Sequence, residues 1–452
     1  MLPVTRTIAR VLALVLTVGT VHATTVVDIP TAKKLASTLI DQNQPRAARE
    51  ILVALRARTP NDPVILTHLS QVERALGNPK EAIALGKSAF RNASTKQEKF
   101  TAARVTAQAL STNGQRTQAQ LWLRRAGALA PTERHEAVIR SEYRYVRARN
   151  PLSFSFGGSV TPSDNVNDAP RTNRLVIGPF VGINPTAVPI SGIETTVNVA
   201  ATLRLPSTEN AINSIGLTYF GKRVSLGSEA ASIDPDLRNE DLSFDRWGLE
   251  WSGRYRSTKR DGIFDATASL YSDRFGGESF QIGQRIQAGY TWPVAANQTL
   301  RLGVDLTRLN RLDSNVRSSD NVTVGARWSF LLENSSQMSI RAAFSDIDSR
   351  AASVAHSAES IGVVFALGKP VATAFWAFAF DVRQADFDNS ILEALDPRKD
   401  TQYIFSASAT FSELDVLGFA PVVEFRHERN QSNISSFERR ASQIGLSLRS
   451  TY

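Results

Sequence analysis

The chain has 452 residues and no cysteine, and that absence removes several chemistries at once. It excludes a disulfide framework, a thiolate zinc site and a cysteine nucleophile. Histidine is scarce, with five residues, one of which (His22) lies in the N-terminal leader. Beyond that leader no stretch approaches the ~20 continuous apolar residues that a membrane helix needs. A chain of this kind enters a bilayer with strands or not at all.

The leader itself is clear. Met1 to Ala23 carries Arg6 and Arg10, then the apolar run Val11 to Val18, then Val21-His22-Ala23. Basic start, short apolar centre and small-x-small site together read as a secretory signal peptide over residues 1–23, with maturation at Thr24. The cleavage site has no cysteine, so the mature chain is not itself a lipoprotein.

Charge is uneven. Thr31 to Asn150 holds 21 Lys/Arg against 9 Asp/Glu, whereas Pro151 to Tyr452 holds 29 against 33, within a total of +9. Such asymmetry points to different surroundings for the two parts. An exported protein seldom meets nucleic acid, so the basic part implies an acidic client or an anionic lipid surface.

The basic part repeats. Asn43-Gln44-Pro45-Arg46-Ala47-Ala48 recurs 34 residues later as Gly77-Asn78-Pro79-Lys80-Glu81-Ala82, and more weakly as Gly114-Gln115-Arg116-Thr117-Gln118-Ala119. Each copy reads as a turn opening a second helix, with a small residue where two helices meet. This period resembles the tetratricopeptide repeat and predicts an α-solenoid over residues 24–150. In such repeats the first helix lines a groove, which places Lys33, Arg74 and Arg104 there as client-binding residues. A last helix runs from about Thr132 to Arg149, with Val138 and Tyr145 marking one face. Its stripe of Arg140, Arg144 and Arg147 would face the phosphates of the periplasmic leaflet, although arginine near a helix C-terminus is also favoured by the macrodipole alone.

From Pro151 the period changes to two. Val322, Val324, Ala326, Trp328 and Phe330 alternate with polar neighbours; so do Ile361 to Leu367, Ala374 to Val382 and Tyr403 to Phe411. Fourteen or fifteen such runs predict an antiparallel transmembrane β-barrel of about 14 strands over residues 151–452. Trp247, Trp251, Trp292 and Trp328 suit its aromatic girdles. Ile444, Leu446 and Leu448 alternate towards a terminal Tyr452, the pattern of a closing strand that serves as a barrel-assembly signal. Ser450 is polar where that alternation calls for an apolar residue. A soluble β-sandwich array is the rival reading, and the leader and terminal ring oppose it.

Catalytic constellations are poor. His356-Ser357 and His427 with Ser435 are the only serine–histidine combinations for a barrel enzyme, and sequence neighbours on a strand point to opposite faces. The acidic turn Asp386-Phe387-Asp388-Asn389 lacks calcium-loop spacing. No enzyme, cofactor or metal is expected.

The order of leader, tetratricopeptide-like helices and barrel resembles the Slam family, the surface lipoprotein assembly modulators. The junction Gly157-Gly158-Ser159-Val160-Thr161-Pro162-Ser163-Asp164-Asn165-Val166-Asn167 looks like that family's first strand and turn. Ala420 to Arg426, Ser432 to Ile434, Phe437 to Arg440 and Ile444 to Ser447 look like its closing strands. The resemblance implies a translocator that carries a client lipoprotein or secreted haem- or metal-binding protein from periplasm to cell surface. It implies the barrel assembly machinery and outer-membrane lipids as partners, an outer-membrane location with the helices in the periplasm, and no nucleotide site. Asp164, Asn165 and Asn167 would form a structural hinge at the junction, though Asx residues stabilise turns in any protein. An exopolysaccharide export porin, with a lumen charged opposite to its polymer, is the alternative.

Overall fold

The computed structural model describes residues 28–177, 180–258, 261–389, 396–414 and 418–450. The leader over Met1–Ala23 and the closing ring of Tyr452 lie outside them. Seven helices come first: α1 (Ile29–Asp41), α2 (Pro45–Arg58), α3 (Pro63–Ala75), α4 (Pro79–Asn92), α5 (Lys96–Thr112), α6 (Arg116–Ala128) and α7 (Glu133–Arg149). Among the described residues no helix is long and apolar enough to cross a membrane. The chain forms two compact units, dividing between Gln115 and Arg116.

In the first unit the repeated turns recur in backbone as well as in letters. Asn43 and Gly77 have φ of 56° and 85°, and Gly114, at the unit's end, has 78°. These left-handed residues close the preceding helix: the amides of Gln44, Asn78 and Gln115 reach back to the carbonyls of Leu39, Glu73 and Leu110. That is the six-to-one bond of a Schellman motif, which favours glycine or asparagine at this position. Proline then opens α2 and α4, where its missing N–H costs nothing. Ala48 and Ala82 are fully buried, and the Ser70 hydroxyl donates to the Ala82 carbonyl at 2.8 Å. A Cβ at Gly86 would collide with Thr106, so α4 and α5 approach closely there. Leu52, Ile65, Leu66 and Leu69 form the core. Asp62 caps α3, and Thr95 with Glu98 forms a capping box on α5.

The second unit holds α6, α7 and sixteen strands: β1 (Leu152–Ser163), β2 (Arg174–Ile177), β3 (Phe180–Ile183), β4 (Gly192–Arg204), β5 (Ala211–Leu226), β6 (Phe244–Ser257), β7 (Gly262–Phe275), β8 (Glu278–Ala295), β9 (Gln298–Arg311), β10 (Ser319–Leu331), β11 (Gln337–Ser349), β12 (His356–Ala366), β13 (Phe375–Phe387), β14 (Lys399–Thr410), β15 (Phe419–Ser432) and β16 (Arg439–Ser450). Fourteen close into an antiparallel barrel in which β1 lies between β4 and β16; β2 and β3 form a separate hairpin. The expected fold class is therefore the observed one.

The end of the barrel next to α7 is its near end. Connections there are short, as between Ala295 and Gln298, whereas the far end carries the long passages from Ser163 to Gly192 and Leu226 to Phe244. Val166, Ile190, Val224 and Ala230 make a small core that fixes those far-end passages.

The wall is inverted relative to a soluble domain. Leu217, Trp247, Ile286, Ile361, Phe380 and Leu446 point outward and are 64%, 61%, 56%, 56%, 48% and 55% exposed. The opposite parity faces the lumen with Arg, Asp, Gln, Ser and Thr, as in β10 between β9 and β11. Trp292 and Trp328 flank Leu300 in register toward the near end. The rings of Tyr219 and Trp247 meet at a tilt, centroids 4.4 Å apart, toward the far end.

Candidate functional site

The helical face comes first. α3 buries Ile65, Leu66, Leu69 and Val72 and leaves Val64, His68 and Gln71 partly exposed at i, i+4 and i+7. α5 leaves Thr101, Arg104 and Gln108 partly exposed at i, i+3 and i+7. Lys33 pairs with Asp62 at the head of α3. Arg74 lies in the last turn of α3 with its Nε buried and unbonded. Twelve residues of helix separate Asp62 from Arg74, about 18 Å, so Lys33 and Arg74 mark separate places. The α3 position equivalent to Lys33 and Arg104 is Thr67, buried and bonded to the Pro63 carbonyl at 2.7 Å.

Electrostatics around this face is set locally. Burial alone would raise the Asp62 pKa, but bonds from Lys33 and the Ile65 and Val64 amides outweigh it and hold the carboxyl below its usual range. Glu73 is held down likewise: burial is offset by Asn78 and Arg49, which reach it at 2.8 and 2.7 Å. Burial lowers the pKa of His68, so it stands neutral on the face at neutral pH.

On α7 the face marked by Val138 and Tyr145 is not the one that packs inward. Val138 and Tyr145 are 40% and 56% exposed, and Ile139, Tyr143 and Val146 are buried instead. Tyr145 lies on the surface with the Arg149 guanidinium 3.6 Å over its ring. Arg140, Arg144 and Arg147 are exposed, and Arg140 pairs with Glu136 at 3.1 Å.

The junction residues form a pinned corner. The Asn165 side chain accepts from the Ala169 amide at 2.9 Å and donates to the carbonyls of Ala169 and Arg440 at 2.9 and 3.2 Å. Asn167 accepts from the Ile190 amide and donates to the Val188 carbonyl. Asp164 accepts from the Ser442 amide at 2.7 Å, which ties the corner to β16.

That tie matters because the closing seam is short. β1 pairs with β4 along its whole length, from Leu152↔Leu203 to Ser163↔Gly192. Among the described residues it pairs with β16 only between Ser159↔Ser447 and Ser163↔Gln443, so the ladder described for the near half of β1 lies on its β4 side. α6 and α7 clasp this region from both sides. Arg124 on α6 donates to the Gly418 carbonyl at 3.0 Å and the Ser450 hydroxyl at 2.8 Å, with Phe419 beneath it. Arg204 on β4 donates to the Ala148 carbonyl of α7 at 2.8 Å. Ser450, polar where alternation called for an apolar residue, is thus the acceptor for this clasp. Ile444, Leu446 and Leu448 point outward and are 59%, 55% and 55% exposed.

The serine–histidine combinations come apart. His356 faces the lumen, donating to the Val354 carbonyl and accepting from Arg383 at 2.7 Å, while Ser357 faces outward. His427 meets Ser442 at 3.0 Å, not Ser435, whose hydroxyl donates to the Arg174 carbonyl.

No protein-family model and no curated protein matches this chain. Among solved structures it is similar to the type III secretion translocator chaperone SycD of Yersinia enterocolitica, at 16% identity over 27% of this chain and 84% of that one, TM-score 0.25. It is also similar to OprB of Pseudomonas putida, at 9% identity over 69% and 96%, TM-score 0.37. A bacterial polysaccharide outer membrane secretin matches at 10% identity over 65% and 98%, TM-score 0.31. Scores this low carry no argument about function.

Two features were not legible from sequence. Arg124 has no motif; only the polar Ser450 hinted that the end of β16 needed a donor. The lumen arginines share an inward parity that can be read along each strand, but their mutual register cannot.

Proposed function

We propose that this chain is an outer-membrane translocator that moves client proteins from the periplasm to the cell surface. The observation that carries the reading is the inverted wall: a closed barrel with exposed apolar residues outside and ion pairs inside is stable only where its exterior meets lipid. In this reading residues 1–23 are removed, 24–150 stand in the periplasm and 151–452 form the membrane barrel. The partly exposed face of α3 and α5, with Arg104 and its neighbours, receives the client; Lys33 and Arg74 shape its margins. Arg140, Arg144 and Arg147 meet phosphates of the inner leaflet. The outward row Ile444, Leu446 and Leu448, ending at Tyr452, addresses the barrel assembly machinery. The short seam, clasped by Arg124, supports a wall that loosens at the near half of β1 while a client passes. The chemistry is binding and passage, with no covalent step.

Protease shaving of intact cells, with and without this gene, tests the reading. One or a few proteins should vanish from the surface while their periplasmic pools and the general porins persist. An unchanged surface proteome contradicts it. A second reading, export of an anionic polysaccharide, is favoured by one observation: Arg and Lys outnumber Asp and Glu at inward strand positions, as at Arg246, Arg285, Arg301, Arg327, Arg341 and Arg426. Loss of secreted polymer in the same deletion strain would select it.

A further inference from the structure

Three arginines share one rung of the lumen wall. Arg301 on β9, Arg327 on β10 and Arg341 on β11 oppose one another in register. Like charges at directly opposed positions destabilise a sheet, so this row works against the barrel's own stability.

The fold neutralises the two outer members. Arg301 pairs with Asp265, and Arg341 grips Asp381 through Nε at 2.8 Å and Nη2 at 2.6 Å. Arg327, between them, is exposed to the lumen and has no ion pair or hydrogen bond among the described residues.

The wall is also hollowed to fit these side chains. A Cβ at Gly289 or Gly303 would collide with the Arg301 guanidinium, and one at Gly362 with the Arg341–Asp381 pair. With the guanidiniums lying on bare backbone, a cavity of about 370 Å³ remains, lined by Gln287, Arg301, Asp305, Thr323, Arg327 and Arg341. Its one carboxylate, Asp305, is already held by Arg285 and by the Gln287 amide at 2.8 Å.

We propose that this hollow is an oxyanion site in the lumen, where Arg327 takes the carboxylate or phosphate group of an acidic solute or chain passing through the barrel. Arg301 and Arg341 keep their donors oriented by Asp265 and Asp381 and add positive potential from either side. Thr323 and Gln287, which flank Asp305 in a single rung, offer neutral polar groups four residues along the wall from the arginine row. A free planar guanidinium matches both oxyanions bidentately, and a low-dielectric wall strengthens the attraction. The site rests on the barrel alone and is independent of any client taken up by the helices.

The test uses the full chain purified in detergent, with heat-modifiable gel migration confirming a closed barrel in every variant. Tripolyphosphate and trigalacturonate are titrated by calorimetry against wild type, Arg327→Gln and Arg327→Glu. The wild type should bind at least one probe, with Arg327→Gln weakening it about tenfold or more and Arg327→Glu abolishing it. Preference for one probe tells phosphate from carboxylate. In planar bilayers under a KCl gradient, the wild type should favour chloride over potassium, and Arg327→Glu should lower or invert that preference. Failure of the wild type to bind either probe, or equal binding by wild type and Arg327→Glu in folded protein, would overturn the proposal whether or not the lumen conducts.

Discussion

The helical unit hides its apolar residues and the barrel displays them. Leu66 on α3 is 1% exposed and Leu217 on β5 is 64% exposed, yet both are leucines in regular structure. The first unit is held by side chains buried against each other, which water drives together. In the barrel wall the backbone ladder closes on itself, and the large outward apolar side chains stay substantially exposed. The same residue type is therefore structural in one region and solvating in the other, and the solvent it requires is lipid.

The largest expected effect separates the two regions by one truncation made in each. In the full chain in micelles, Leu66→Ala should cost about 2–5 kcal/mol, read as a lower helical melting transition by circular dichroism. Leu217→Ala should leave barrel melting within about 0.5 kcal/mol of wild type. Equal costs at the two positions would erase the contrast. Next comes charge on the outer wall: Leu217→Arg should destabilise folding into lipid vesicles by about 2–4 kcal/mol, measured by denaturant titration. A negligible change there would mean that the outer wall faces water.

Smaller effects sharpen the helical side. Thr95→Ala removes one half of the capping box on α5 and should cost about 0.5–2 kcal/mol, lowering the helical melting temperature alone. The pH dependence has a definite sign. Asp62 titrates below its ordinary value of 3.8 when folded, so it binds protons less readily in the native state. Its stabilisation is complete above that ordinary value and fades as pH falls through the folded one. The helical melting temperature should therefore drop on acidification below about pH 4, and Asp62→Asn should reduce that drop.

Much of this architecture was legible because its periods are short. Alternation along Val322 to Phe330 assigns inward and outward faces without knowing any neighbour. The turns at Asn43, Gly77 and Gly114 could be read because a left-handed residue leaves an Asn/Gly mark in sequence. What was lost depended on partners distant in the chain. Val138 and Tyr145 mark one face in sequence, but which face packs inward was not legible: α7 turns the Ile139, Tyr143 and Val146 side inward, and Tyr143 meets Arg124 at 3.3 Å. Lys33 looked free for a client because its partner, Asp62, lies on another helix boundary. Arg301, Arg327 and Arg341 became neighbours only once three strands were in register.

The absence of cysteine makes the most direct measurement clean, because any thiol introduced is the only one present. Asp236→Cys, in a far-end passage, and Ser207→Cys, in a near-end turn, would each be probed on cells with a membrane-impermeant maleimide. The account predicts labelling of Cys at 236 on intact cells, and at 207 only after the outer membrane is permeabilised. Labelling of both positions on intact cells, or of neither until permeabilisation, would contradict a barrel that crosses the outer membrane with its near end in the periplasm.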